Sequence, residues 1–227
     1  MQVVLLHALP LDAAMWAGQL ARLPEDTLAP DLYPLGDTMT QWAQAVLDLA
    51  ASGPLLVVGC SVGGSCALEM AALAPDRLGA VVLVGAKAGH RRQPEVRDAA
   101  VALLHTEGLD AAWSQIWAPL LGPNTDGSIA ATVRSIAMRQ SVADIVRGVE
   151  VFHDRPDLDD FAATWRKPLY VISGKNDTSP SPTTAAALAR AAPRGHFELV
   201  PDCGHYVNLE RPQAFEALLA QFLRAEL

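Results

Sequence analysis

The chain has 227 residues, room for one large domain or two small ones at roughly 150 residues per domain. Hydrophobic residues make up 51% and charged residues 19%, which excludes a disordered chain. A net charge of −8 argues against a nucleic-acid groove binder, which relies on clustered Lys and Arg. Three cysteines with no C-x-x-C spacing signal neither a disulfide framework nor a zinc site, and fit a reducing compartment. The first residues carry no positive n-region, His7 and Pro10 break the early apolar run, and no apolar stretch approaches the ~20 residues that span a bilayer. The expectation is a cytoplasmic protein with no membrane contact.

In chain order, short apolar runs alternate with helical stretches. Gln2 to Leu6 reads as a strand, Ala14 to Arg22 as a helix and Thr27 to Leu32 as a second strand. Thr40 to Ala51 reads as a helix, Leu55 to Gly59 as a third strand, Ser65 to Leu73 as a helix and Ala80 to Val84 as a fourth strand. From about Ala88 the alternation stops, and Pro94 to Phe152 reads as several helices with breaks near Gly108, Gly122-Pro123-Asn124 and Ser141. It resumes with a strand at Leu169 to Ser173, a helix at Pro182 to Ala191, a strand at His196 to Val200 and a last helix at Pro212 to Leu223. Continuous apolar runs suit parallel strands buried on both faces. The pattern therefore predicts an α/β fold with about six parallel strands, helices on both faces and Thr27 to Leu32 at an edge. Residues 1–87 and 161–227 form the body, and 88–160 form a helical insertion between the fourth and fifth strands.

The stretch Gly59-Cys60-Ser61-Val62-Gly63 is G-x-S-x-G, set between a strand and a helix where that motif exposes a nucleophilic serine. Glycines two before and two after Ser61 leave no side chains to collide across the turn. The helix amino end there favours developing negative charge. A phosphate loop is the competing reading, but no Gly-Lys-Ser/Thr follows and G-x-G-x-x-G does not fit the register. A serine needs a base, and the base needs an orienting carboxylate. Asp177 lies just past the fifth strand and His205 just past the sixth, so all three residues fall at carboxyl ends of strands, where open α/β sheets bind ligands. Asp202 competes with Asp177 as orienter, but its nearness in sequence makes a good contact with the His205 imidazole hard. His7, His90, His105, His153 and His196 read as packing or surface residues, and the three cysteines as buried small hydrophobes.

These residues, with the His7-Ala8-Leu9-Pro10 turn, Trp16, Asp31 with Gly36, and G-H-Y-V-N-L-E-R-P from Gly204 to Pro212, resemble the α/β-hydrolase superfamily along nearly the whole chain. The resemblance implies Ser61 as nucleophile, His205 as general base and acid, and Asp177 as its partner. The amide of Val62, after the nucleophile, is the expected first oxyanion donor. The resemblance implies the Leu9 amide as the second, although Ala8 stands where the family usually has glycine. It also implies that this chain lacks the family's customary N-terminal β-hairpin. Ser61 at the elbow argues against a dehalogenase or epoxide hydrolase, which carry Asp there.

The reaction implied is hydrolysis of a carboxylic ester of a small or medium acyl substrate through an acyl-enzyme, with no metal or organic cofactor. A lactonase or C–C bond hydrolase with the same triad is the alternative, as is a receptor-like protein that only binds ligand on this fold. Small-lid esterases and 3-oxoadipate enol-lactonase are the nearest likenesses. Residues 88–160 are expected to form a lid, with Trp113, Trp117, Met138 and Phe152 as candidate pocket residues and the two tryptophans, four apart, on one helical face. The insertion holds seven arginines against eleven acids, and only its entrance, with Lys87, Arg91, Arg92 and Arg97, leans positive. An anionic substrate is therefore weakly signalled.

Overall fold

The computed structural model describes residues 1–226 and holds one parallel five-stranded sheet in the order β1-β2-β3-β4-β5. β1 (Gln2–Leu6) leads through α1 (Ala17–Leu20) and α2 (Met39–Leu49) to β2 (Leu55–Cys60), and α3 (Val62–Leu73) leads on to β3 (Leu78–Val84). Five helices follow: α4 (Pro94–Thr106), α5 (Gly108–Ala112), α6 (Gly127–Ala137), α7 (Val142–Asp154) and α8 (Asp159–Thr164). β4 (Leu169–Gly174), α9 (Pro182–Ala191), β5 (Gly195–Val200), α10 (Val207–Glu210) and α11 (Pro212–Glu226) complete the chain order.

β2 and β4 are buried at every position, as their predominantly apolar sequences dictate, and helices cover the faces. α3 is apolar nearly all round and buried from Val62 to Ala71, the mark of a helix enclosed by its surroundings. Surface helices start on side-chain caps: Thr38, Ser141 and Ser181 accept the amides of Gln41, Asp144 and Thr184. α11 turns Phe215, Leu219 and Phe222 inward, and Phe222 stacks on Tyr170 at 3.9 Å between ring centroids.

The sheet has five strands where the sequence predicts about six. Thr27 to Leu32 does not form a strand. Leu28 makes one bridge to β1, giving its amide to the Val3 carbonyl at 2.9 Å and taking the Leu5 amide at 2.8 Å. Two residues on, Pro30 has no N–H to continue the ladder. Asp31 then turns away and accepts the Ala13 amide at 3.0 Å.

The two ends of the helical segment between β3 and β4 are hydrogen-bonded to each other. The Leu158 amide donates to the Ala88 carbonyl at 3.2 Å, and the His90 amide to Asp157 at 3.0 Å. α8 runs past residue 160 to Thr164 and packs on α9. No helix among the described residues is long and apolar enough to cross a membrane.

Candidate active site

Ser61 sits between β2 and α3 with φ 54° and ψ −116°, a left-handed backbone that costs a non-glycine residue about 1–3 kcal/mol. The turn is held by the Ser61 amide donating to the Val84 carbonyl at 2.9 Å. A Cβ on Gly59 would strike the Gly63 carbonyl, and one on Gly63 would strike the carbonyls of Leu6 and His7. Only glycine fits at either place, so the residues two before and two after the apex are fixed by close backbone approach. Cys60 is wholly buried and burial pushes its thiol pKa up, so the neighbour of the apex is inert.

His205 follows β5 and Asp177 follows β4, and both are buried. The two Asp177 oxygens lie 3.1 and 3.0 Å from His205 Nδ1. A carboxylate only accepts, so Nδ1 carries the hydrogen and Nε2 keeps a free lone pair. The Ser179 amide donates to Asp177 Oδ1 at 2.8 Å and fixes the carboxylate from its other side. Asp202, the competing orienter, is exposed in a turn at φ 50° and bonds no part of His205.

Three further residues shape this pair. Gly85, at φ +53°, lies beneath it: a Cβ there would meet His205 Nδ1 at 2.8 Å and Asp177 Oδ2 at 3.0 Å. Tyr206 packs edge-on against the imidazole and donates its hydroxyl to the Leu9 carbonyl at 3.1 Å. Glu210 is buried, and its carboxylate accepts the amides of Gly204 at 2.9 Å, Tyr206 at 3.0 Å and Gly122 at 2.8 Å, together with the Thr125 hydroxyl. It thereby clamps both residues that flank His205. Glu210 lies in the segment quoted for the resemblance, while Gly85 had no signal beyond ending a strand.

The backbone at Leu9 runs beside the elbow. Ala8 keeps a negative φ, so alanine in place of the usual glycine introduces no strain. His7 is wholly buried, accepts the Leu32 amide on Nε2 at 2.8 Å and donates from Nδ1 to the Ala8 carbonyl at 3.2 Å. Burial lowers its pKa to about 4, so it is a neutral strut at ordinary pH. Among the described residues no protein acceptor takes the amide hydrogen of Leu9 or of Val62.

A cavity of about 190 Å³ opens over these groups, lined by Ser61, His205, Leu9, Trp117, Phe152 and other residues. The helices α4 and α7 contribute Ala100, Val149 and His153, and the segment after α5 contributes Ile116 and Leu120. Of the four candidate pocket residues, Trp117 and Phe152 reach the cavity, and Trp113 and Met138 do not. The reason for Trp113 lies in its backbone. Residues 113–117 form a π-helical turn, closed by the Ala118 amide on the Trp113 carbonyl, so a spacing of four no longer aligns two side chains. Met138 stands at the end of α6, half-buried and away from the cavity. His153, which reads as a surface residue in the sequence, is half-buried in the cavity wall, and His90 bonds its carbonyl at 2.7 Å.

Comparison with known proteins agrees with this architecture. Residues 3–218 match the family described as the alpha/beta hydrolase family. Esterase Rv0045c of Mycobacterium tuberculosis is 28% identical, over 94% of this chain and 79% of its own length. The solved structure of a thermophilic esterase from Thermogutta terrifontis superimposes with a TM-score of 0.90 at 24% identity, covering 99% of this chain and 90% of that one. The enol-lactonase from Burkholderia xenovorans does so with a TM-score of 0.87 at 25% identity, covering 98% and 91%. With its glycine-framed elbow, its parallel sheet and a match from residue 3 to residue 218, this chain belongs to the alpha/beta hydrolase family.

Proposed function

We propose that the protein hydrolyses a carboxylic ester of a small or medium acyl substrate, with Ser61 as nucleophile, His205 as general base and acid, and Asp177 as the residue that orients the imidazole. The observation that carries this reading is the buried His205–Asp177 pair, with Nε2 left free, beside a strained serine on the same cavity. Ser61 Oγ attacks the ester carbonyl as its proton passes to His205 Nε2. The tetrahedral oxyanion takes the free amides of Val62 and Leu9, each such donor contributing about 2.7–4 kcal/mol. His205 returns the proton to the leaving alcohol, and the acyl-enzyme is then opened by a water that His205 deprotonates. Ser61 Oγ makes no protein hydrogen bond among the described residues. Contacts between nucleophile and base are commonly looser before substrate binds, which fits this arrangement.

Residues 88–160 serve in this reading as a lid over Ser61, with Trp117 and Phe152 as the apolar wall against which the acyl chain packs. The 190 Å³ cavity suits a small acyl group. Likeness to an enol-lactonase supports a second reading, attack of the same serine on a lactone, and a panel of esters and lactones separates the two.

The decisive experiment measures turnover of a short p-nitrophenyl ester and covalent labelling by a fluorophosphonate. The intact protein should turn over and be labelled once, at Ser61. Ser61→Ala should lose labelling and cut kcat on the order of 10⁶-fold. Turnover that survives Ser61→Ala overturns the assignment.

A further inference from the structure

Seven arginines lie between residues 88 and 160. Four form ion pairs: Arg97 with Asp98 and Asp154, Arg134 with Asp110, Arg139 with Asp12, and Arg147 with Asp37 and Asp144. Arg91 and Arg92 are exposed to water. Arg155 differs from all of these. It is only 4% exposed and has no carboxylate within ion-pair distance among the described residues. The entrance charges suggested by the sequence are thus solvated or paired, and the isolated buried cation lies elsewhere.

The surroundings of Arg155 leave half of its guanidinium unused. Nη1 donates to the Phe152 carbonyl, and the guanidinium carbon lies 3.9 Å from the centre of the Phe152 ring. Nε is buried with no partner, and Nη2 donates to no protein acceptor among the described residues. These two nitrogens form one edge of the planar fork, the edge that takes a carboxylate bidentately. Asp157, whose charge acts on Arg155, is occupied by the amides of His90 and Asp159. Burial lowers the Arg155 pKa to about 10, which leaves it a cation at neutral pH. A buried cation with one carbonyl and one ring for partners is costly to keep, and a ligand that fills the free edge would offset that cost.

Arg155 is also well placed to meet substrate. It lines a side chamber of about 20 Å³ together with Ser61, Ser65, Gly85 and the exposed Lys87. The chamber shares Ser61, Phe152 and Ser179 with the main cavity. A space of that size admits about one small polar group and not a hydrocarbon chain.

We propose that Arg155 forms an anion subsite, and that the substrate is an ester bearing a carboxylate, which docks on the free Nε–Nη2 edge while the ester carbonyl meets Ser61. The inference rests on the reading of Ser61 as nucleophile. It narrows the substrate class to half-esters of short dicarboxylic acids and related acidic esters.

The test compares monomethyl succinate, glutarate and adipate with neutral methyl esters of the same chain length, followed by pH-stat. At least one acidic ester should exceed its neutral match in kcat/KM by tenfold or more, chiefly through KM. Arg155→Met should lower that ratio by tenfold or more, and Arg155→Lys should restore part of it. Absence of the preference, or its survival in Arg155→Met, overturns the subsite. A second measurement needs neither turnover nor the Arg155 variants. Glutarate, but not glutaramide, should raise the melting temperature of Ser61→Ala, and no difference between them overturns the subsite. Turnover surviving Ser61→Ala instead overturns the nucleophile and leaves the glutarate comparison to decide on Arg155.

Discussion

At the scale of single residues, hydrogen-bond direction sets the chemistry. Asp177 accepts from His205 Nδ1 and so leaves Nε2 basic. An asparagine there would present its amide hydrogens to Nδ1 and favour the opposite tautomer. Asp177→Asn should therefore cut kcat by about 10³–10⁴-fold with the fold intact, whereas the exposed Asp202→Asn should change it less than about twofold; ester assays on the two variants check this. His7 offers a test in pH. Its folded pKa of about 4 lies below the unfolded value of 6.5, so above pH 6.5 both states are neutral and stability is complete. As pH falls from 6.5 towards 4, only the unfolded chain gains the proton, and stability should drop by about 3 kcal/mol before levelling off. Urea midpoints across this range should show that decline, and His7→Gln should flatten it. The residue types and order of the proposed triad were readable from sequence because the elbow glycines and the ends of strands declare themselves locally. The unpaired state of Arg155 was not, because it depends on where every acid of the insertion ends up.

Elements bring those residues together, and here backbone geometry decides. Gly85 ends β3 under the His205–Asp177 pair, and a methyl group would press on both side chains from a conformation alanine resists. Gly85→Ala should lower kcat by tenfold or more while costing about 1–2 kcal/mol of stability, read from steady-state kinetics and urea melts together. Glu210 ties the loop on either side of His205 to residues 122 and 125. Glu210→Gln turns an acceptor-only group into one with two hydrogens facing donors, and should cost about 3 kcal/mol. Its loss should appear in kcat more than in KM, since it holds the residues on either side of His205 and does not line the cavity. Strand and helix limits on the body were legible to within a few residues from apolar runs and caps. Two of the misreadings were backbone effects: Pro30 stopped a strand that its apolar neighbours suggested, and a π-turn rotated Trp113 away from Trp117.

Across the whole molecule, the helices between β3 and β4 are stitched to the body at several points. The Leu120 carbonyl takes the His205 amide at 2.9 Å, Arg139 meets Asp12 and Arg147 meets Asp37. Gly148 of α7 lies so close to Leu9 and Tyr33 that a Cβ would sit 2.7 and 2.8 Å from them. The surface ion pairs add little, about 0–1 kcal/mol each, and the buried contacts should make these helices unfold together with the sheet. Tryptophan fluorescence and far-ultraviolet circular dichroism should thus melt in coincident transitions; an earlier step in fluorescence alone would show independent unfolding. The run of helices between β3 and β4 was legible in the sequence from the break in alternation. How firmly they are fastened was not, since part of the fastening runs through main-chain atoms such as the Leu120 carbonyl and the Gly122 amide.

The fastening at residues 120–125 also sets terms for re-engineering the protein. Replacing the whole insertion with that of a relative would remove the Leu120 carbonyl, the Gly122 amide and the Thr125 hydroxyl, strand the His205 amide and leave Glu210 with only the amides of Gly204 and Tyr206. Two separate grafts, one ending before Leu120 and one beginning after Thr125, would exchange the cavity walls and leave His205 in register. In modular terms the insertion is a pair of exchangeable cassettes on either side of a fixed keystone.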